Sequence, residues 1–312
     1  MIEARQLTKR FDSGRGRNKR VLEAVSSIDL TINAGERVAY IGPNGAGKST
    51  SIKMFTGILQ PTSGELHVLG LVPAKQRKQL AQRIGVLFGQ RAQLWSELTA
   101  REGLRLLGAI FGLDRSKINA RIEETADLLD ACDLLDQTVR TFSLGQRMRC
   151  ELAASILHSP EMLFLDEPTI GLDLTAKQLF RELIARLNAE RGTTILLTSH
   201  DVADIEAVAE RVIIINHGTV IYDDAVDALR GSLLAVKLVD VRFESPSEPV
   251  VLDGVEVVES SPLHCELRVD TRSRSIREVL DYVLEHGAVA DISVTDPPLE
   301  DVISEIYQAG LQ

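Results

Sequence analysis

Cysteine is scarce and scattered. Three residues, Cys132, Cys150 and Cys265, occur in 312 positions, a distribution that suits neither a disulfide framework nor a zinc site. No apolar run comes near the about 20 residues that a bilayer-spanning helix needs. The N-terminal stretch MIEARQLTKRF lacks the apolar centre of a signal peptide. Positive charge is in deficit: the formal net charge is -10, which argues against a general nucleic-acid binder. These absences point to a reduced, cytosolic compartment, and any work at a membrane would need another chain to span it. What is present, 44% hydrophobic and 26% charged residues, is ordinary for a globular protein. The length suggests two domains.

Ile28, Leu30 and Ile32 lie on one face of a period-2 strand. Arg37 to Ile41 reads as a second strand running into a glycine-rich turn, and Ser49 to Leu59 as a helix that stops near Pro61. Ile84 to Phe88 is a short apolar strand, and the chain from about residue 98 to 158 is helical in pattern. Glu161 to Leu165 and Thr194 to Thr198 are compact apolar runs of the kind that buried parallel strands show. Arg211 to Ile215 and Thr219 to Tyr222, joined by Asn216-His217-Gly218, form a hairpin pattern. The pattern changes near Gly231. Strands at Leu233 to Val241, Val255 to Val258 and Leu263 to Val269 precede a helix from Ser275 to Glu285. A strand, Ala290 to Val294, and a helix, Leu299 to Gln308, follow them. The expectation is a domain over 1–231, with a helical subdomain at about 98–158, and a small α+β domain over 232–312. The basic segment Ser13 to Arg20 reads as a solvated hairpin tip.

The stretch GPNGAGKST, comprising Gly42, Pro43, Asn44, Gly45, Ala46, Gly47, Lys48, Ser49 and Thr50, fits G-x-x-x-x-G-K-[ST] between a strand and a helix. Its glycines let backbone N–H groups turn inward around phosphate oxygens, and the helix N-terminus adds partial positive charge. Lys48 supplies an ammonium for β and γ phosphates, Ser49 a hydroxyl for Mg²⁺, and Thr50 reaches the α phosphate. No dinucleotide G-x-G-x-x-G occurs at this turn.

MLFLDE, Met162 to Glu167, ends an apolar strand with two acids. Ligands of a parallel sheet sit beyond the carboxyl ends of its strands, and adjacent residues there point to different sides. Asp166 is therefore expected to serve Mg²⁺, and Glu167 to polarise the attacking water. TTILLTSH places His200 at a neighbouring strand end, where an imidazole can reach the γ-phosphate and that carboxylate. Gln90 follows the Ile84 to Phe88 strand, and its amide can ligate Mg²⁺ or orient water. In FSLGQRMR, Ser143 and Gln146 have the spacing of a capping box, and Met148, Leu152 and Ile156 give the helix a core face. The stretch can be a helix cap alone or half of a phosphate site.

Together these pieces resemble the nucleotide-binding subunit of an ABC transporter, over roughly residues 1–230. FSLGQ (Phe142 to Gln146) looks like the LSGGQ signature, Ile170-Gly171-Leu172-Asp173 like the D-loop, His200 like the switch histidine and Gln90 like the Q-loop glutamine, with Gly89 one extra residue before it. Phe11 looks like the A-loop aromatic that stacks on adenine. The resemblance implies an α/β P-loop NTPase core with a helical subdomain, an ATPase using ATP and Mg²⁺, and a homodimer in which Ser143, Gly145, Gln146 and Asp173 of one chain face nucleotide held by the other. The end LEDVISEIYQ is similar to the appended domain of ABC-2-type exporter ATPases, whose role here, dimer support or regulation, stays open. It implies export of an unidentified substrate through separate integral-membrane permeases, at the cytoplasmic face of the membrane. A non-transport ABC ATPase fits less well, because the chain has one P-loop and no sustained heptad run. A P-loop kinase would leave FSLGQ, the D-loop and His200 without a role. Leu94-Trp95 are candidates for a permease-docking notch, the tryptophan being alternatively core. Leu144, where the signature has glycine, is expected at φ < 0, packing beside the site and pointing away from phosphate.

Overall fold

The structure, a computed structural model, describes residues 1–13, 20–89, 91–231, 236–247 and 250–309. It divides into two compact units, Met1–Asp224 and Ala225–Gln312.

The first unit is built on a six-stranded sheet: β3 (Arg37–Ile41), β5 (Ile84–Phe88), β6 (Met162–Asp166), β7 (Thr194–Thr198), β8 (Arg211–Asn216) and β9 (Thr219–Ala225). The order is β5-β6-β7-β3-β8-β9, with parallel pairing from β5 through β8. Residues Met162 to Leu165 and all of β7 are buried, as expected of strands covered on both faces. The two-residue turn His217-Gly218, with φ of 46° and 80°, closes the β8–β9 hairpin in the left-handed conformations that such turns require.

A three-stranded antiparallel sheet, order β2-β1-β4, comprises β1 (Ile2–Ser13), β2 (Arg20–Ile32) and β4 (Ser63–Val68). Ile28, Leu30 and Ile32 share its buried face as the alternation requires. β1 and β4 were not expected. The register of β1 slips against β2 between Ala4 and Leu7 and against β4 between Arg5 and Thr8, so bulges interrupt the alternation that would mark β1 as a strand. A core of Ile2, Leu7, Val25, Tyr40, Ile52 and Phe164 joins this sheet to one face of the larger one. Helix α1 (Lys48–Phe55) crosses that core. It is shorter than the Ser49 to Leu59 pattern, because Gly57 at φ 71° turns the chain just after Thr56. A short helix, α2 (Arg77–Ala81), precedes β5.

The helical part contains α3 (Ala100–Ile110), α4 (Ile118–Leu128) and α5 (Leu144–Ile156). Thr99 with Glu102, and Ser143 with Gln146, form capping boxes that satisfy orphan N–H groups at the starts of α3 and α5. Their apolar faces merge with the other side of the sheet through Leu104, Ile122, Leu152, Leu163, Leu165 and Ile184. Helices α6 (Leu174–Arg191) and α7 (Val202–Val208) follow β6 and β7.

The second unit has an antiparallel sheet of order β11-β12-β10-β13, from β10 (Val236–Phe243), β11 (Val255–Ser261), β12 (His264–Asp270) and β13 (Val289–Thr295). Val239, Val241, Cys265, Leu267 and Val269 alternate inward against Val279 and Val283 of α9 (Ile276–His286). Helices α8 (Val226–Gly231) and α10 (Leu299–Ala309) pack together in the same unit. Of the basic segment 13–20, residues 14–19 lie outside the described residues, as do Leu233, Leu234 and Ala235 of the expected strand. Among the described residues no helix is long and apolar enough to cross a membrane.

Candidate functional site

β3 ends at Ile41, and the turn from Gly42 to Gly47 carries the chain into α1. Two glycines are sterically required. A Cβ on Gly42 would lie 2.1 Å from the Ile215 carbonyl oxygen, and one on Gly47 2.4 Å from that of Ala24, where φ is also 112°. The first turn of α1 has neither a side-chain cap nor an acidic residue, so its N–H groups are left for an anion. Lys48, 7% exposed, donates through Nζ to the carbonyl oxygens of Gly42 and Pro43, the latter at 3.2 Å. Burial holds its pKa below the ordinary lysine value, against the opposing pull of Glu167 and Asp166.

The acids stand at the end of β6. Asp166 Oδ1 accepts from Thr198 Oγ1 at 2.8 Å. Glu167 takes the left-handed conformation at φ 54°, which a β-carbon disfavours. Its N–H donates to both the carbonyl and the hydroxyl oxygen of Thr198, each at 3.1 Å. Its Oε1 lies 3.0 Å from His200 Nε2, and this buried oxygen has no hydrogen-bond partner among the described residues. Burial foremost raises the Glu167 pKa above the ordinary glutamate value, while His200 and Lys48 pull it down.

Phe11, Leu22, Pro43 through Thr50, Glu167, Ile170 and His200 line one cavity of about 510 Å³. Gly42 is not on its wall but packs under the loop against β8. Ser49, Gly89, Asp166 and Glu167 line a second cleft of about 250 Å³. Gln90 lies outside the described residues, although Gly89 and Arg91 beside it line that cleft.

Ser143, Gly145, Gln146 and Asp173 line a different cleft, of about 350 Å³, which shares no residue with the Phe11–His200 cavity. Ser143 Oγ accepts from the Gln146 N–H at 3.2 Å, and Gln146 Oε1 from the Ser143 N–H at 2.9 Å. Asp173 Oδ1 accepts from the Ala176 N–H at 2.8 Å and caps α6. Leu144 is not among the residues with positive φ and is 45% exposed. Its Cδ2 lies 3.1 Å from where a Gly171 Cβ would stand, so it rests on the loop that follows Glu167.

Leu94 corrects the docking expectation. It is 4% exposed and packs on Gly103 in the core, whereas Trp95 is 42% exposed. Two contributors were not anticipated. Thr198 ties both acids to β7, and a threonine at the end of an apolar strand gives no sequence signal of such a role. Glu151, 4% exposed on α5, accepts from the N–H groups of Gln93 at 2.7 Å and Leu94 at 3.3 Å. Its signal was present as a lone acid beside Leu152 on the buried side of α5. Burial raises its pKa, against those two N–H bonds and Arg147.

The ABC transporter family model matches residues 25–170. The chain is 39% identical over 229 residues to the ABC transporter ATP-binding protein NatA of Bacillus subtilis, covering 73% of this chain and 91% of that protein. It is 32% identical over 286 residues to the daunorubicin/doxorubicin resistance ATP-binding protein DrrA of Streptomyces peucetius, covering 89% and 86%. Among solved structures, the dimeric post-hydrolysis state of an ATP-binding cassette bound to ADP and Pi matches with a TM-score of 0.63. It is 26% identical and covers 72% of this chain and 98% of that one.

Proposed function

The chain belongs to the ATP-binding subunits of ABC transporters and is an ATP-hydrolysing enzyme, and from that premise we propose that it drives export with two nucleotide sites, each shared between two copies. The observation that carries the shared site is the separation of its halves. Lys48, Glu167 and His200 line one cavity, and Ser143 and Asp173 line another. A second copy placed head to tail would bring the signature of one chain over the P-loop of the other, in keeping with the dimeric cassette it matches.

Each residue then has a physical task. The N–H groups of the glycine turn and α1 cradle the phosphates, Lys48 exchanges its loop carbonyls for phosphate oxygens, and Phe11 with Leu22 covers the base. The Glu167 Oε1, without a hydrogen-bond partner among the described residues, accepts a hydrogen bond from the attacking water, and His200, 3.0 Å from it, orients that carboxylate and reaches the γ-phosphate. Burial that raises the Glu167 pKa makes it a better proton acceptor in the transition state. The donor set also suits Mg²⁺, a hard cation that binds through few protein oxygens. The Ser49 hydroxyl and the Asp166 carboxylate line one cleft and would hold it. The ion would neutralise phosphate charge there.

Export follows from kinship with a drug-resistance ATP-binding protein. The membrane path belongs to separate permease chains, which places this chain peripherally on the cytoplasmic face, with exposed Trp95 as a docking contact. Complementation tests the shared site. Ser143→Asp keeps a good N-cap while placing negative charge towards phosphate. Lys48→Ala disables the other half. Each variant alone should be inactive, and mixing them should restore ATP hydrolysis, because one of the two sites in the mixed dimer has both halves intact. No restoration on mixing would place the whole site within one chain.

A further inference from the structure

A buried carboxylate lies behind the two residues that face each other at the end of the sheet. Asp204 of α7 is 1% exposed. Thr169 Oγ1 and Ser199 Oγ donate to its Oδ2 at 2.5 and 2.7 Å, and Arg181 Nε of α6 donates to its Oδ1 at 2.7 Å. The donors are buried as well, at 4% for Thr169, 3% for Ser199 and 7% for Arg181. Removing a charge from water is costly unless it is paired and hydrogen-bonded, and packing alone would be served as well by an apolar side chain. The place of the donors in the chain is therefore informative.

Thr169 stands two residues after Glu167, and Ser199 immediately precedes His200. Glu167 holds an unfavourable φ of 54°, which persists only where the surroundings over-determine it. Thr198 fixes its N–H from one side. The Thr169 link fixes the chain on the other side, and the same Asp204 oxygen holds the approach to His200. Ser199 Oγ also accepts from the Asp201 N–H at 3.0 Å, and Asp201 is paired with Lys177 at 2.5 Å and Arg181 at 3.4 Å. Arg181 and Lys177 anchor the cluster to α6, and the Asp173 cap begins that helix.

We propose that Asp204 is a positioning residue, whose bonds to Thr169 and Ser199 set the placement of Glu167 against His200 and hence the turnover of ATP hydrolysis. This rests on Glu167 and His200 serving hydrolysis. Asp204→Asn would leave Arg181 buried against a neutral amide and endanger folding, so the test removes single hydroxyls. Thr169→Val, Ser199→Ala and the conservative Thr169→Ser are compared in the full chain, with Glu167→Gln alongside. Turnover, equilibrium ATP binding and melting temperature are measured for each.

Small displacements of reacting groups are costly. Thr169→Val and Ser199→Ala should each lower kcat by on the order of 10-fold, with ATP affinity held within about twofold and most of the rate recovered in Thr169→Ser. Turnover near wild type in both hydroxyl variants, with Glu167→Gln inactive, would overturn the role of Asp204 alone. ATP affinity falling in step with kcat would make the cluster a folding element and would also overturn it. A freely hydrolysing Glu167→Gln would remove the underlying reading and the proposal with it.

Discussion

Gly89 offers a sharp test of how tightly the backbone of Glu167 is held. Phe88 of β5 pairs with Asp166 of β6, which sets Gly89 against Glu167, and the Gly89 N–H donates to the Asp166 carbonyl at 2.9 Å. The φ of Gly89 is not positive, so the requirement for glycine is one of space. In Gly89→Ala the new Cβ would lie 2.0 Å from the Glu167 carbonyl oxygen and 2.9 Å from its carbon. A carbon and a carbonyl oxygen in contact rest about 3.3 Å apart, so the two chains must separate by about 1.3 Å. Overpacking of this kind costs about 1–3 kcal/mol, or about 2–4 °C in melting temperature for each kcal/mol in a unit of this size. A shift of about 1 Å at a reacting group costs on the order of 100-fold in rate. The expected result is a folded protein, melting a few degrees lower, with kcat for ATP reduced by about two orders of magnitude. Turnover and melting temperature both close to wild type would refute the reasoning, because the displacement would then have been absorbed without moving Glu167.

Leu144→Gly removes the contact with the Gly171 loop and puts glycine in the first turn of α5. Stability should fall by roughly 1 kcal/mol with turnover little changed, as checked by denaturant unfolding and ATPase assay, whereas a many-fold rise in rate would make the leucine a brake. Glu151→Gln tests a buried charge through pH. Because burial raises the folded pKa of Glu151 above its unfolded value near 4.5, its penalty is absent below about 4.5 and grows as pH rises through the raised folded value. Unfolding free energies measured across that window should decline more steeply with pH in the wild type than in Glu151→Gln. Equal slopes would contradict the assignment.

Much of the fold was legible because its central strands are buried on both faces and so appear as continuous apolar runs, Met162 to Leu165 and Thr194 to Thr198 among them. The Gly42 to Thr50 turn was legible because few residue combinations allow a backbone to close around phosphate. β1 was not, since its register slips between Ala4 and Leu7 and a one-residue slip reverses which side chains face inward. The pairing of Glu167 with His200 was legible from their places at neighbouring strand ends. The supporting groups were hidden for a common reason. Thr198, Glu151 and Asp204 are single polar residues whose partners lie 31 to 58 positions away in some of their bonds, and only the fold brings them together. The spatial separation of the Ser143 cleft from the Lys48 cavity was likewise invisible in the order of motifs along the chain.

Glu167 is the group on which hydrolysis turns, and the most direct measurement is ATP hydrolysis by Glu167→Gln beside its ATP binding and its size in solution. A positioned general base contributes about 10²–10⁴-fold. The variant should therefore lose at least about 100-fold in kcat, still bind ATP, and run as a dimer when ATP is present. Hydrolysis at a rate near wild type would contradict the account.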